Sequence, residues 1–369
     1  MSFSLLDQTH MHRALKLAKR GEGHVEPNPM VGCVIADGEQ VIGEGWHQQF
    51  GGPHAEIVAI QAAGERLSGA TLYVTLEPCC HHGKTLPCTD QIIAVGISRV
   101  VVALEDPYHE VHGQGITQLQ KSGLEVEIGL LSEEANVLMA PYAKMICAGR
   151  PWIIAKWAMT LDGRIASCTG SSQWISSESS RAVAHVLRGR MDAILVGRHT
   201  VDWDDPLLTA RPPGPRTATR IVVDSNASLS LDSQLVRSSS VAPVCVAVSQ
   251  TAPNDRCRQL EAAGCEIICC DAASHAKRLL QLLDELGRRR MSNLLVEGGG
   301  ELLGTLFDQN HIDEIHVFVA PKLIGGAAAR SPISGAGIES MDLARWLNDP
   351  VVQRSAEDVY IHGRVMDSE

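Results

Sequence analysis

Apolar positions along this chain switch repeatedly between a spacing of two and a spacing of three to four, the marks of strands and of helices. Thr9–Arg20 carries the helical spacing, with Thr9 or Asp7 as N-cap and Gly21 as stop. Met30–Ala36 and Gln40–Trp46 read as strands around Asp37-Gly38, a hairpin turn signal. Pro53–Ala63 predicts a helix that turns Ile57 and Ile60 to a core and ends at Gly64. A strand at Ala70–Leu76 and a helix at Thr89–Val95 follow, the latter closed by Gly96. Arg99–Leu104 reads as a buried strand, Gly115–Lys121 as a helix and Leu124–Ile128 as a strand. The order α-β-β-α-β-α-β-α-β predicts one sheet with helices on both faces.

Glu133–Ala148 predicts a connecting helix that ends at Gly149, and Pro151 opens a new strand, Trp152–Ala158. The domain boundary is placed there, giving domains 1–148 and 149–369. Further strands are predicted at Ala193–Val196, Arg220–Val223, Val244–Val248, Cys265–Cys269, Asn293–Val296, Glu314–Val319 and Val359–Val365. Helices are predicted at Glu178–Arg188 and His275–Leu286, and Pro212–Pro215 marks a loop. The second part therefore reads as another α/β domain.

Composition narrows this picture. At about 150 residues per domain, 369 residues fit two domains or slightly more. Apolar residues reach 44% but aromatics only 4%, so Val, Ile, Leu and Ala must fill the cores. A formal net charge of −11 argues against a nucleic-acid partner, which calls for a basic face. Met1 to His10 lack the pattern of a signal peptide, and no apolar run has bilayer length. With 11 cysteines, an odd number, the expected compartment is a reducing cytoplasm, where cysteines are thiols or metal ligands.

The chemistry gathers first at Pro53-His54-Ala55-Glu56, Pro78-Cys79-Cys80-His81-His82 and Pro87-Cys88. Each proline sits where a helix can begin, which places His54 and Cys88 in first helical turns. A metal there meets the positive ends of two helix dipoles, which favour thiolate over thiol. His54, Cys79 and Cys88 make a three-ligand zinc set that leaves a fourth position for water. Glu56 can reach that water without ligating, as a proton shuttle. His-x-Glu with Pro-Cys-x-x-Cys is the signature of zinc nucleobase deaminases, but here eight residues, not two, separate the cysteines. Cys80 is the competing ligand, and a structural site closed by Cys80 or His82 is the non-catalytic alternative.

Pro27-Asn28-Pro29-Met30-Val31-Gly32, His54-Ala55-Glu56 and the run Thr75-Leu76-Glu77-Pro78-Cys79-Cys80-His81-His82-Gly83-Lys84-Thr85-Leu86-Pro87-Cys88 together resemble the bifunctional deaminase–reductases of bacterial riboflavin biosynthesis. The resemblance continues through Ser172-Gln173-Trp174-Ile175, Asp204-Asp205-Pro206, Leu208-Thr209 and Val296-Glu297-Gly298-Gly299, in the family's order over nearly the whole chain. It implies a cytidine-deaminase-like α/β/α domain followed by a dihydrofolate-reductase-like α/β domain, with Zn2+ and NADPH as cofactors. It also implies hydrolytic deamination of a diaminopyrimidinone ribosylamine phosphate, then reduction of the ribosyl chain. Asn28 would hold the pyrimidine, and Lys84 and Asp106 would lie near the ribose phosphate. Read without the resemblance, Asn28 is equally a turn residue and Lys84 a solvated loop lysine. The sequence departs from the family at Tyr108-His109, where Asn-Pro is usual, at Leu86 for proline and at Cys80 for serine.

In the second half, strand Asn293–Val296 runs into Glu297-Gly298-Gly299-Gly300 and then a helix through Phe307. Strand, glycine turn and helix N-terminus is a phosphate-binding arrangement, although the spacing is not a dinucleotide fingerprint and a plain helix cap reads equally well. Carried over by motif, Ala158, Trp174, Thr200, Asp204, Ser225, Gly299, Gly300, Glu301, Leu302, Leu303, Gly304 and Thr305 would line the cofactor. Ser172, Arg188, Asp204, Leu207, Arg211 and Glu297 would hold the substrate, and Lys156 would stabilise the sugar hydroxyls as a catalytic residue. On their own terms Trp174 is equally a core residue, Arg188 a helix-end cation and Asp204-Asp205-Pro206 a turn. The expected partner is a small pyrimidine ribosyl phosphate, with no nucleic acid or membrane and with a homo-oligomer left open. The rival reading is a deaminase of another nucleoside or base with a regulatory, non-reducing second half.

Overall fold

A computed structural model describes residues 3–81 and 86–366. The chain forms two compact units, Met1–Gly149 and Arg150–Glu369. Gly149, at φ 65°, caps the last helix of the first unit, one position past the expected boundary.

The first unit runs α1 (Leu5–Ala18), β1 (Gly32–Asp37), β2 (Gln40–Trp46), α2 (Ala55–Ala63), β3 (Thr71–Val74), α3 (Cys88–Ala94), β4 (Arg99–Val102), α4 (Gln114–Lys121), β5 (Glu125–Ile128) and α5 (Ser132–Ala148). Its sheet has the order β2-β1-β3-β4-β5. β1 is antiparallel to β2 and β3, while β3, β4 and β5 are parallel. Strand alternation splits the core into two layers. Cys33 and Ile35 pack with Ala59 of α2, Ile92 of α3 and Leu119 of α4. Val34 and Ala36 face the other way, toward Met11 of α1 and Ala135 of α5. α1 starts at Leu5 rather than Thr9 because Ser4 and Asp7 form a reciprocal capping box.

Two glycines on β2 set the depth of α2. A Cβ at Gly43 would fall 2.3 Å from the Ala59 carbonyl oxygen, and one at Gly45 2.6 Å from that of Ala55. Without side chains there, the helix lies against the strand, and this fixes where its N-terminus delivers His54 and Glu56.

The second unit runs β6 (Trp152–Thr160), α6 (Glu178–Arg188), β7 (Ala193–Gly197), α7 (Arg198–Asp204), β8 (Thr219–Val223), α8 (Gln234–Arg237), β9 (Val244–Ser249), α9 (Asn254–Ala262), β10 (Glu266–Cys270), α10 (His275–Arg288), β11 (Asn293–Val296), α11 (Gly300–Asp308), β12 (Glu314–Ala320), β13 (Leu347–Ser355) and β14 (Asp358–Val365). Nine strands form one sheet in the order β10-β9-β8-β7-β11-β6-β12-β14-β13. β10 through β12 in that order are parallel, and β14 and β13 are antiparallel additions at one edge. The central strands are buried on both faces, as a parallel sheet between helices requires. Leu282 and Leu286 of α10 and Leu306 of α11 cover one face. Leu187 of α6 and Leu260 of α9 cover the other. Such a sheet presents the carboxyl ends of its strands as a ligand crevice.

Candidate active sites

In the first unit, the loop after β3 and the starts of α2 and α3 converge. His54 is the N-cap of α2 (φ −71°, ψ 160°), just outside the first turn where the sequence placed it. Cys88 is the first residue of α3, behind Pro87. His54 Nδ1 lies 3.3 Å from Cys88 Sγ and 3.5 Å from Cys79 Sγ. The ligand atoms of the three residues all lie within 4.8 Å of one another. Cys80 turns away, its Sγ 3.9 Å from the Glu110 carbonyl oxygen. The Cys88 thiol hydrogen-bonds to the Cys79 sulfur, which pushes Cys79 down toward thiolate and Cys88 up. An imidazole and two sulfurs fit zinc, and three ligands leave a position for water.

Glu56 is 3% exposed, in the first turn of α2. Burial raises its carboxyl above the ordinary range, and the His54 charge opposes this. Asn28 is held by a residue the sequence reading passed over. His47 Nδ1 lies 2.9 Å from the Pro53 carbonyl oxygen, so that nitrogen carries the proton. Nε2 then accepts from Asn28 Nδ2 at 3.2 Å, and burial keeps the ring neutral. The Asn28 amide is thereby oriented with Oδ1 as its open acceptor.

Glu77 was also passed over. It is 3% exposed and accepts from three backbone N–H groups, those of Asp106, Gly113 and Ile116, at 2.9–3.1 Å. These bonds tie the Glu77-Pro78-Cys79 loop to the start of α4. The signal was an acidic residue directly before Pro-Cys in a strand-end loop. Asp106 is 7% exposed, and its Oδ1 accepts from Tyr108 N–H and Tyr142 Oη, each at 2.9 Å. Lys84 and His82 lie outside the described residues.

In the second unit, the end of β11 and the middle of β6 beside it hold a buried ion triad. Glu297 accepts from Arg188 Nε and Nη2 at 2.5 and 2.8 Å and from Lys156 Nζ at 3.3 Å. Burial alone would raise the carboxyl, but Arg188 and then Lys156 outweigh it and hold Glu297 at about 2. His185, one turn before Arg188, is a further residue that periodicity did not single out. Its ring is bonded to the Thr209 carbonyl, and burial together with Arg188 and Arg211 lowers its proton affinity. Arg211 donates to Thr209 Oγ1 at 3.0 Å, Ser172 donates to Asp204 Oδ1 at 2.5 Å, and the Leu207 carbonyl accepts from Arg220.

A cavity of about 1030 Å³ opens beside this triad's strand, walled in part by Gly197, Ser225, Gly299, Gly300, Glu301 and Leu302. Gly298 and Gly299 hold φ of 101° and 86°, a conformation that L side chains rarely adopt. Thr200 stands against them, 3.3 Å from where a Gly298 Cβ would sit. Of the predicted cofactor run, Leu303 is 1% exposed in the core and Gly304 packs on the Ser334 carbonyl. Thr305 donates its hydroxyl to Glu301. Ala158 and Trp174 are outside the cavity wall, and Trp174 is not a core residue: it is 65% exposed under the Arg181 guanidinium.

Residues 5–104 match the family model of the cytidine and deoxycytidylate deaminase zinc-binding region, and residues 151–353 match that of the RibD C-terminal domain. The riboflavin biosynthesis protein RibD of Actinobacillus pleuropneumoniae is 40% identical over 360 residues, which span 97% of this chain and 95% of that one. The chain belongs to the RibD family. RibD of Escherichia coli is 37% identical, with 96% of this chain and 98% of that one covered. A crystal form of Acinetobacter baumannii RibD superposes with a TM-score of 0.86 at 33% identity, covering 98% of this chain and 99% of that one. The Thermotoga maritima diaminohydroxyphosphoribosylaminopyrimidine deaminase/5-amino-6-(5-phosphoribosylamino)uracil reductase gives 0.84 at 34%, with the same coverage. Like RibD, this chain is a bifunctional deaminase and reductase of riboflavin biosynthesis, using zinc in its first unit and NADPH in its second.

Proposed function

We propose that the first unit hydrolyses the 2-amino group of 2,5-diamino-6-ribosylamino-4(3H)-pyrimidinone 5′-phosphate. The second would then reduce the ribosyl chain of the deaminated product to give 5-amino-6-ribitylaminouracil 5′-phosphate. The observation that carries this reading is the convergence of His54, Cys79 and Cys88 beside buried Glu56, in one chain with the Glu297 triad and the glycine-turn cavity.

His54, Cys79 and Cys88 would hold the zinc, which would make hydroxide available at neutral pH by lowering the pKa of water to about 7. Glu56 would take one proton of the attacking water and give it to a ring nitrogen, then pass the second, from the newly attached hydroxyl, to the departing amine, so water enters and ammonia leaves. Its raised proton affinity suits a group that must both accept and return a proton. Asn28 Oδ1 would accept from a pyrimidine N–H, and Lys84 and Asp106 are assigned to the ribose phosphate. Glu56→Gln is expected to keep zinc and to lower deamination by about 10²–10⁴-fold. Metal analysis beside an ammonia-release assay checks this, and loss of zinc in that variant would make Glu56 a structural residue instead.

In the second unit the glycine turn and the cavity beside it would hold NADPH, whose chemistry would be hydride donation to C1′ of the opened ribose. Lys156 steadies the sugar hydroxyls, and Arg188 and Arg211 grip phosphate oxygens in pairs. Glu297 orients both Lys156 and Arg188, and Ser172, Asp204 and Leu207 complete the substrate wall. Ala158, Trp174, Thr200, Ser225 and the Gly299–Thr305 run serve the cofactor, the last three of these by supporting the turn. The test is a coupled assay with the diamino substrate. NADPH oxidation should start only after ammonia is released, and should start at once when the deaminated intermediate is added. No oxidation with that intermediate would defeat the reductase assignment.

The partners we assign are small molecules alone. A net charge of −11 supports this against nucleic acid. No helix among the described residues is long and apolar enough to cross a membrane. Eleven free cysteines support a reducing, cytoplasmic setting. A homo-oligomer is supported by edge strand β13, which exposes Val352 at 62% and is preceded by Trp346 at 75%.

A further inference from the structure

The topology of the second unit fixes how an extended dinucleotide must lie. The Lys156–Glu297 triad sits where β11 ends beside the middle of β6, so the reacting nicotinamide belongs on that side. The glycine turn of β11 and the start of α7 after β7 form the middle of the cavity. The adenosine half must then continue away from β6, across β7 to β8. β8 lies two strand spacings from β11, about 10 Å, which carries the cavity to Ser225 and Asn226.

Beyond Ser225 the wall changes character. His275 borders the large cavity, and a smaller adjoining one shares Val223, Ser225 and His275 with it and adds Arg278. His275 and Arg278 are three apart on α10 and so share one face. Arg278 makes no ion pair among the described residues. It donates to the Ala272 and Ala273 carbonyls at 3.2 and 3.4 Å and to Ser225 Oγ at 3.4 Å. His275 makes no hydrogen bond among the described residues. The nearby acids do not occupy this corner. The Asp224 carboxylate accepts from Asn226 N–H, Ser228 Oγ and Leu229 N–H, and Asp271 from Gln281. Glu301 lies on the same cavity wall as His275 and its charge reaches that ring, but no hydrogen bond joins the two among the described residues. The other cations on the cavity wall are engaged. Arg198 pairs with Asp202, and Arg330 stacks over Trp203 at 5.3 Å.

We propose that Ser225, His275 and Arg278 form the pocket that reads the 2′-phosphate of the NADPH adenosine and so exclude NADH. A guanidinium with no carboxylate partner, a ring nitrogen with no hydrogen bond and a hydroxyl offer donors to a phosphate monoester dianion. The hydroxyls of an unphosphorylated ribose would leave the cation unmatched. The inference rests on the second unit's use of NADPH, and its test separates the two claims.

Titration calorimetry on the full chain with NADPH, NADH and 2′,5′-ADP provides that test. Wild type is expected to bind NADPH and 2′,5′-ADP and to bind NADH far more weakly. Arg278→Ala should weaken NADPH and 2′,5′-ADP by about 10–100-fold and leave NADH affinity unchanged. Arg278→Lys should recover part of the loss, and His275→Ala should give a smaller loss of the same selectivity. An unchanged melting temperature excludes misfolding. Equal weakening of NADPH and NADH, or no weakening of either, overturns the assignment of these residues. A wild-type chain that binds neither NADPH nor 2′,5′-ADP overturns the cofactor itself.

Discussion

Cys79→Ser is expected to remove zinc and deamination together, whereas Cys80→Ser keeps both. The two cysteines are neighbours, and only the fold separates them. Cys79 Sγ stands 3.5 Å from His54 Nδ1 and accepts from the Cys88 backbone N–H at 3.4 Å. Among the described residues, Cys80 Sγ is hydrogen-bonded to the Glu110 carbonyl alone. A serine hydroxyl at position 79 does not ionise near neutrality, so it cannot replace a thiolate ligand. With the metal gone, the pKa of water returns from about 7 to about 15.7, a fall of roughly eight orders of magnitude in available hydroxide. Deamination should therefore drop below detection rather than by a modest factor. Reduction of the deaminated intermediate should continue, because the second unit has its own core. Metal content and the two half-reactions, measured on each variant, check this. Equal zinc loss in Cys80→Ser would mean that the described geometry is not that of the zinc-loaded site.

What could be read from the sequence was whatever periodicity and turn chemistry make local. Helix α6, Glu178–Arg188, and strand β2 at Gln40–Trp46 were delimited to the residue, since a serine cap and a hairpin turn bound them. Helix α9 was missed because Leu260 is its only buried residue, so its face carries no apolar stripe. Strand β13 was missed because Asn348-Asp349-Pro350 reads as a turn. In the fold it is a bulge against β14, with the register shifting between Asn348 and Val351. The candidate metal cluster was legible because Pro53 and Pro87 mark the helix starts that carry His54 and Cys88, and Pro78 precedes Cys79. His47, Glu77 and His185 were not, because each acts through contacts across the sheet or between helix and loop. A histidine bonded to one carbonyl and one amide has no sequence pattern. The glycine run was over-read at its end, where Leu303 and Gly304 serve packing against the core and the Ser334 loop.

Glu297→Ala is expected to damage the reductase twice, in stability and in rate, and the pH dependence distinguishes the two. The carboxylate is 8% exposed and is the sole acid bonded to Lys156 and Arg188 among the described residues. Removing it leaves two cations in a low-dielectric site, which typically costs about 3–5 kcal/mol. Five of the six tryptophans lie in residues 150–369, so tryptophan fluorescence during urea unfolding mainly follows this unit. The folded carboxyl titrates at about 2, below its unfolded value of about 4.3. Its stabilisation is thus complete above about pH 4.3 and is lost as pH falls through about 2. The stability gap between wild type and Glu297→Ala should be flat from pH 6 to 8 and should narrow only in acid. Reduction should fall by about 10²-fold or more, because Lys156 and Arg188 lose the partner that aims them, and misplacement of such groups is costly at the transition state. Glu297→Asp, which keeps the charge but shortens the reach, should recover most of the stability and little of the rate. Full activity in Glu297→Ala, with only the stability loss, would make the triad a structural ion cluster and move the substrate site toward His185 and Arg211.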